Sequence, residues 1–328
     1  MKAVVFAGKG GPELASVQEI PAPVAQRGEV LVRVRAAALN RADLLQRRGL
    51  YPPPPGFRED VPGLEFAGEV AALGEGVTGF QVGDRVMAIA SGEAQAEYVI
   101  ADPFMLLRIP DGMSFPLAAA LPEAGITAHD ALVTLGGYRS GGMALIHAIG
   151  SGVGTMALQI AKAMGGTVIG TARSADKIEK AKGLGLDHAI LVGKEDPRFA
   201  DEVRRITSRR GVPVVVDFVG APYMAENLAS LAAQGCVVVV GTMGGPKATV
   251  DLGVLMRARG RVVGTVLRPR PLFEKILATQ AFARDVMPLV VAGEVKPVLD
   301  RAWPAAEVRA AHEQLERNDS FGKVVLEF

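Results

Sequence analysis

The sequence predicts a two-domain α/β protein, in which a β-rich part is joined to a doubly wound parallel sheet, and three observations point to it. A length of 328 residues, at about 150 per domain, makes room for two cores. The first third alternates apolar and polar positions in short runs cut by turn formers, the period of strands. From about residue 122, short β-branched runs alternate with longer helical stretches, which implies right-handed crossovers and a parallel sheet covered on both faces.

Taken in order, Val30, Val32 and Val34 fall on one face of an early strand and Arg33 and Arg35 on the other. Gly74, Gly76, Gly79, Gly83 and Asp84 then mark turns. The run Pro52-Pro53-Pro54-Pro55 cannot lie inside a helix or a central strand and reads as a stiff extended loop. In the second part the strand candidates are 144–147, 167–171, 189–192, 213–218, 236–240 and 261–266, separated by helical patterns such as 153–164, 175–182 and 224–232. Six such strands describe a dinucleotide-binding sheet. A helix is expected over 273–292, and Gly322-Lys323-Val324-Val325-Leu326 is a strand signal that returns the chain to its first domain. The expected boundaries are 1–122 with 268–328 for the first domain and 123–267 for the second.

Composition narrows the function classes. Lys plus Arg number 36 against 35 Asp plus Glu, so a net charge of +1 offers no broad field for nucleic acid or anionic lipid. Hydrophobic residues make up 49%, yet no apolar run approaches the ~18 residues of a membrane span. The chain reads as cytoplasmic, with no membrane partner. The single cysteine, Cys236, excludes an internal disulfide and a Cys-rich zinc site, and no metal is expected.

The strongest motif is Leu145-Ile146-His147-Ala148-Ile149-Gly150-Ser151-Gly152-Val153-Gly154, a buried strand that runs through a glycine turn into an amphipathic helix. Glycines there let the backbone approach a pyrophosphate, whose charge the free N–H groups of the helix N-terminus receive. About 20 residues on, where an acid would bond the ribose of NAD, stand Arg173 and Ser174, with Lys177 on the next helix. A cation and a hydroxyl suit a 2′-phosphate, and NADPH is the expected cofactor. The alternative is that Ser174 only caps that helix while Arg173 and Lys177 are solvated. A capping box would want Glu or Gln at position 177, and the Lys there favours the phosphate reading.

These motifs meet others. Asn40-Arg41-Ala42-Asp43-Leu44-Leu45-Gln46-Arg47-Arg48-Gly49-Leu50-Tyr51 before four prolines, Pro62-Gly63-Leu64-Glu65-Phe66-Ala67-Gly68, Gly83-Asp84-Arg85-Val86 and Leu267-Arg268-Pro269-Arg270-Pro271 closely resemble the zinc-free quinone oxidoreductases of the medium-chain dehydrogenase/reductase superfamily. The resemblance spans essentially the whole chain and is closest to the NADPH-dependent subgroup that contains the tumour-suppressor-inducible quinone oxidoreductase. It implies a GroES-like catalytic domain formed by both chain ends, a Rossmann domain between them, a cleft for the nicotinamide, and a homodimer or homotetramer. Zinc-dependent members carry a Cys ligand near position 40 and a His just before the Glu of the second motif; this chain has Asn40 and Leu64. It also reads Leu191-Val192 where many members have Asn-Tyr near the adenosine phosphate, which leaves Arg173, Ser174 and Lys177 to select NADPH.

Further cofactor positions follow from the family's loops. Thr127 is placed to bond the carboxamide, or is a helix hydroxyl bonded to the previous turn. Gly241, Thr242 and Met243 follow the fifth strand on the carboxyl edge, Val266 and Leu267 end the sixth, and Gly220 follows the fourth, where it also reads as a simple turn. Ser151 adds a hydroxyl to the phosphate loop or is a tolerated small residue.

Without zinc as a Lewis acid, an electron-poor acceptor is the easier substrate, because a quinone or an enone delocalises the charge a hydride brings and ordinary donors stabilise it. Asn40 and Tyr51 are the candidate donors, with Asp43 fixing them or exchanging protons. From spacing alone Asn40, one of three Asn in the chain, reads equally as a helix cap, Tyr51 as pocket wall, and Asp43 as a first-turn acid. His147 reads as packed core, and Arg257, Arg259, Arg261, Arg268 and Arg270 as a cluster either near phosphate or on the surface. The leading expectation is an NADPH-dependent quinone reductase. An enoyl-thioester or alkenal reductase is the rival within enzymes, and a nucleotide- or RNA-binding sensor without turnover the rival outside them, disfavoured by the near-neutral charge.

Overall fold

A computed structural model describes residues 1–193 and 196–328. It separates into two units, Met1–Ala124 with Leu267–Asp285 and Pro297–Phe328, and Gly125–Val266 with Val286–Lys296. The stretch 286–296 therefore groups with the second unit, whereas the sequence reading gave all of 268–328 to the first.

The chain enters the first unit with β1 (Lys2–Phe6), β2 (Ala15–Glu19), β3 (Val30–Ala38), β4 (Glu65–Leu73), β5 (Arg85–Ile89), β6 (Tyr98–Ala101) and β7 (Leu107–Arg108). It crosses the second with β8 (Met143–Ile146), β9 (Thr167–Ala172), β10 (His188–Leu191), β11 (Val212–Asp217), β12 (Leu231–Val239) and β13 (Arg261–Gly264), and returns with β14 (Leu299–Pro304) and β15 (Lys323–Glu327).

In the first unit β1 and β2 form a hairpin-like antiparallel pair, and a seven-stranded sheet runs β14-β15-β3-β4-β5-β7, with β6 also on β3. The alternation of β3 fixes its register. Val30, Val32 and Val34 are buried with Phe66, Val70, Val86 and Val99, while Arg33 is exposed and Arg35 pairs with Glu69 at 2.7 Å. Opposite Val34 stands Gly68, where a Cβ would lie 2.1 Å from the Arg33 carbonyl oxygen, so only glycine admits this close strand approach. The last strand, β15, joins β3 antiparallel and thereby closes the unit with the chain's C-terminal segment.

In the second unit six parallel strands run β10-β9-β8-β11-β12-β13. The order reverses between β8 and β11, the switch point at whose carboxyl edge such sheets take ligands. The core is the expected set of β-branched residues, Ile169, Val215 and Val237 among them, with Phe199, Tyr223 and Leu228 packed against it. Most ends lie within a residue of the sequence reading, and three elements differ by more. The helix Met224–Ser230 stops two residues short of 232, and β12 begins at Leu231, with Gln234 at φ +62° and a register shift between Val212 and Val214. Expected as one helix, 273–292 divides into Leu272–Asp285 and Met287–Val291, because Pro288 has no N–H to give to the preceding turn. The sixth strand ends at Gly264, not 266. No helix among the described residues is long and apolar enough to cross a membrane.

Candidate active site

At the end of β8 the chain turns through Ala148, held at φ +45°, and Gly150 into the helix Gly152–Ala163. Ser151 is the cap of that helix, and its Oγ accepts from Gly154 N–H at 3.0 Å. Of the two readings of Ser151, the hydroxyl is thus engaged by the loop itself. A Cβ on Gly154 would lie 2.5 Å from the Ala148 carbonyl oxygen, so glycine is required where the helix turns against the strand end. The N–H groups of Gly152 and Val153 have no acceptor among the described residues, and these are the free donors a phosphate would meet.

Beyond β9, Arg173 is exposed and Ser174 half-buried. Ser174 occupies the cap position of the helix Ala175–Lys182 but makes no side-chain cap bond, so its hydroxyl is not consumed there. Lys177 lies in the first turn of the same helix. On the carboxyl edge the turns after β11 and β12 are laced together. Gly220 at φ +83° leaves 2.8 Å between a would-be Cβ and the Gly245 carbonyl oxygen, Gly241 N–H donates to Asp217 O, and Met243 N–H to Phe218 O. Gly220 therefore serves the turn by necessity of backbone conformation. Thr242 and Met243 are both exposed beside it. Thr127 is half-buried on the helix Pro122–His129. Val266 and Leu267 do not end the sixth strand. β13 ends at Gly264, Thr265 N–H still reaches Val239 O (2.9 Å), Val266 is exposed, and Leu267 is buried as part of the first unit.

His147, at the same edge, is fully buried, with Nδ1 on Thr171 Oγ1 (2.8 Å) and Nε2 on Asn227 Oδ1 (2.6 Å), and Asn227 in turn donates to Asp217. Burial lowers its pKa. Both ring nitrogens are engaged, as packed core requires.

In the first unit the N-terminal turn of the helix Arg41–Arg47 gathers a buried polar cluster. Asp43, with no exposed surface, accepts from Asn40 N–H (2.7 Å), Gly63 N–H (3.2 Å) and Gln95 Nε2 (3.1 Å). Burial lifts its carboxyl to about 6 against these hydrogen bonds and the nearby charges of Arg268 and Lys323. Asn40 is engaged at both ends of its amide, donating to Glu65 Oε1 (3.0 Å) and accepting from Lys323 Nζ (2.6 Å). Its amide also donates to Ala38 O (3.4 Å), so the Asn40 side chain holds the cluster together. Lys323 also donates to Leu39 O (2.8 Å) and forms an ion pair with Glu65 (2.6 Å), so its three protons are all used. Glu65, fully buried, accepts in addition from Glu123 N–H at 2.8 Å.

Tyr51 stands on the proline loop with Arg268 over its ring, 5.4 Å from the centroid. Arg268 is buried and donates to Ser91 O (2.8 Å), Tyr51 O (3.2 Å) and Gln46 Oε1 (2.7 Å). It is thereby set apart from the arginine cluster in which the sequence placed it. Lys275 is buried beside it and donates to Ser91 Oγ. The Tyr51 hydroxyl has no hydrogen-bond partner among the described residues, and its pKa is raised by burial and by the Glu123 carboxyl.

Sequence reasoning missed Glu65, Glu123, Arg268 and Lys323. The available signals were an acid between Leu64 and Phe66 in an apolar strand and a lysine between Gly322 and Val324. Each is a charge that burial obliges to find a partner.

Residues 26–111 match the alcohol dehydrogenase GroES-like domain family, and residues 152–281 the zinc-binding dehydrogenase family. Over 99% of both chains the protein is 36% identical to a quinone oxidoreductase of Pseudomonas aeruginosa. Among solved structures it is similar to a mycobacterial protein complexed with NADPH, at 29% identity and TM-score 0.89. It is also similar to the Escherichia coli quinone oxidoreductase complexed with NADPH, at 27% identity and TM-score 0.86; each of these likenesses covers 100% of both chains. The seven-stranded unit is thus GroES-like and the parallel-sheet unit Rossmann-type.

Proposed function

Because the chain belongs to the medium-chain dehydrogenase/reductase superfamily, with quinone oxidoreductases as its relatives, we propose that it is an NADPH-dependent, zinc-independent reductase of quinones. The observation that carries the nucleotide half of this reading is the phosphate loop, where Gly154 lies too close to Ala148 for any side chain and Gly152 and Val153 leave their N–H groups free. Arg173, with the uncapped Ser174 hydroxyl and Lys177, supplies the cation and donor that a 2′-phosphate needs. Thr127, Gly220, Gly241, Thr242 and Met243 complete the proposed nucleotide contacts from the same unit.

When bound, NADPH supplies the hydride. The chain's own residues have three tasks. The loop and Arg173 fix the nucleotide. Arg268 and the proline loop hold Tyr51, whose uncommitted hydroxyl can donate to an acceptor oxygen. The buried Lys323, paired with Glu65, ties Asn40, Glu65 and the end of the early strand together without a metal. Asn40 and Leu64 occupy the positions that zinc-dependent members give to ligands, and among the described residues no three His, Cys, Asp or Glu side chains gather as metal ligands would. Zinc independence rests on that donor chemistry.

A homodimer is the proposed assembly. Among the described residues β13 is an edge strand paired with β12 alone, with Val262 40% exposed on it, a surface that pairing with a second copy would cover.

The test is a turnover panel on metal-stripped protein, with 9,10-phenanthrenequinone and crotonyl-CoA each offered with NADPH and with NADH. Quinone reduction with NADPH, undiminished by chelators, is expected. Turnover of crotonyl-CoA alone would transfer the reading to carbon–carbon double-bond reduction, and a requirement for stoichiometric zinc would end it.

A further inference from the structure

We propose that Glu123 is the acid that protonates the reduced acceptor, acting beside the Tyr51 hydroxyl. The proposal rests on the reading above, in which the acceptor gains a hydride.

Glu123 is the one acid of the cluster whose carboxyl has no hydrogen-bond partner among the described residues. Every other charged group there is engaged: Glu65 by Asn40 and Lys323, Asp43 by two backbone N–H groups and Gln95, Arg268 by Gln46 and Ser91, and Lys275 by Ser91. The place of Glu123 is fixed through its backbone, whose N–H donates to Glu65 Oε2 at 2.8 Å in the first turn of the helix Pro122–His129. Its residue is half-buried. A carboxyl so held, tied at the backbone and without a partner at the side chain, can give its proton to an incoming group.

Its surroundings keep the proton on. Desolvation raises the pKa first, the negative charges of Glu65 and Asp43 add to it, and Lys323 and Arg268 oppose it, with a value of about 8. Tyr51 and Lys275 complete the groups that feel its charge. Glu123 is thus a neutral acid at pH 7 and becomes a carboxylate above about 8.

The step balances. A quinone that has gained a hydride, two electrons and one proton, carries one negative charge. The O–H bond of the Glu123 carboxyl breaks as an O–H bond forms on the acceptor oxygen, which yields the hydroquinone. The carboxylate left behind takes a proton from water. Without a second proton of this kind the product would leave as an anion.

The test joins a titration to kinetics. In protein carrying 13C-carboxyl glutamate and no nucleotide, one carbon resonance is expected to titrate near pH 8 and to be missing in Glu123→Gln. In turnover, kcat for quinone is expected to stay flat up to about pH 8 and fall above it, as the acid loses its proton. Glu123→Gln should lower kcat by about 10²-fold and lose the alkaline limb, while Glu123→Asp restores part of both. NADPH affinity, measured by nucleotide fluorescence, should stay within about 2-fold in each variant, equivalent to less than 1 kcal/mol of binding. A Glu123 carbon titrating near the ordinary glutamate value, or a Glu123→Gln enzyme with full kcat and an intact alkaline limb, overturns the proposal. If the parent protein turned over no acceptor while the carbon still titrated near 8, the functional reading would fail and take the donor role with it.

Discussion

Removal of one buried ammonium should cost the first unit more than any surface charge could. In Lys323→Met the side chain keeps its length and loses all three donated hydrogen bonds, to Leu39 O, Asn40 Oδ1 and Glu65 Oε1. Glu65, with no exposed surface, then keeps only Asn40 Nδ2 and the Glu123 N–H as donors and no cation in contact. Breaking a buried pair from one side costs about 3–5 kcal/mol, because the surviving charge is left uncompensated. For a unit of this size that corresponds to a fall in midpoint temperature of roughly 6–20 °C. Glu65→Gln alone should also destabilise, since Lys323 is then the stranded charge. The double variant Glu65→Gln/Lys323→Met, with neither charge present, should recover at least half of the loss, so the cycle should give a coupling of about 2 kcal/mol or more. The assay is built into the chain: its only tryptophan, Trp303, lies half-buried on β14 in the first unit, so fluorescence during denaturant unfolding reports this unit separately from the other. A Lys323→Met protein within about 1 kcal/mol of the parent, the range of an exposed pair, would refute the view that this ion pair organises the site.

Three further outcomes are expected. Gly154→Ala, whose Cβ would meet the Ala148 carbonyl oxygen at 2.5 Å, should lose about 1–3 kcal/mol in unfolding experiments and weaken NADPH binding by calorimetry; unchanged binding would contradict the role of the loop. The pair Arg173→Ala/Ser174→Ala should raise the Kd for NADPH by about 10-fold or more, the worth of a charge-assisted contact, and leave NADH nearly unaffected, so parallel losses for the two nucleotides would remove the 2′-phosphate assignment. Val262→Asp, on the open edge of β13, should halve the mass seen by light scattering at micromolar concentration, and an unaltered mass would move the dimer contact elsewhere.

Local chemistry was legible in the sequence, and long-range pairing was not. The alternation of Val30, Val32 and Val34 and the strand-turn-helix around Gly150 to Gly154 carry their structural meaning within a few residues, so the period and the glycines sufficed. The helix-to-strand switch at Ser230 and Leu231 was missed because helical propensity continues through Ala232 and only the positive φ of Gln234 and pairing with Val212 turn the chain into β12. Asn40 was singled out by its rarity, but its role depends on Glu65 and Lys323, which come from two other strands of the sheet. Arg268 looked like one member of an arginine run and is instead the guanidinium that holds Tyr51. No window of sequence contains these partners together. What the sequence does contain is the obligation: an acid at position 65 in an apolar strand must meet a cation if it is buried.

The charges of that cluster also set an order of events. At neutral pH, above the value of about 6 to which burial lifts Asp43, Asp43 and Glu65 are set against Lys323 and Arg268. With Glu123 neutral, no third carboxylate opposes an acceptor at the moment it becomes an anion, which is when catalysis gains from a fixed field. Transfer of the Glu123 proton then moves the negative charge from the acceptor to a carboxylate within the field of Lys323 and Arg268, so the neutral product is released while the charge stays with the protein. Were Glu123 ionised beforehand, the acceptor would develop its charge facing a third carboxylate. The same group thus governs both the supply of the proton and the field that admits the electrons, which is why raising the pH through about 8 should slow hydride transfer itself as well as protonation.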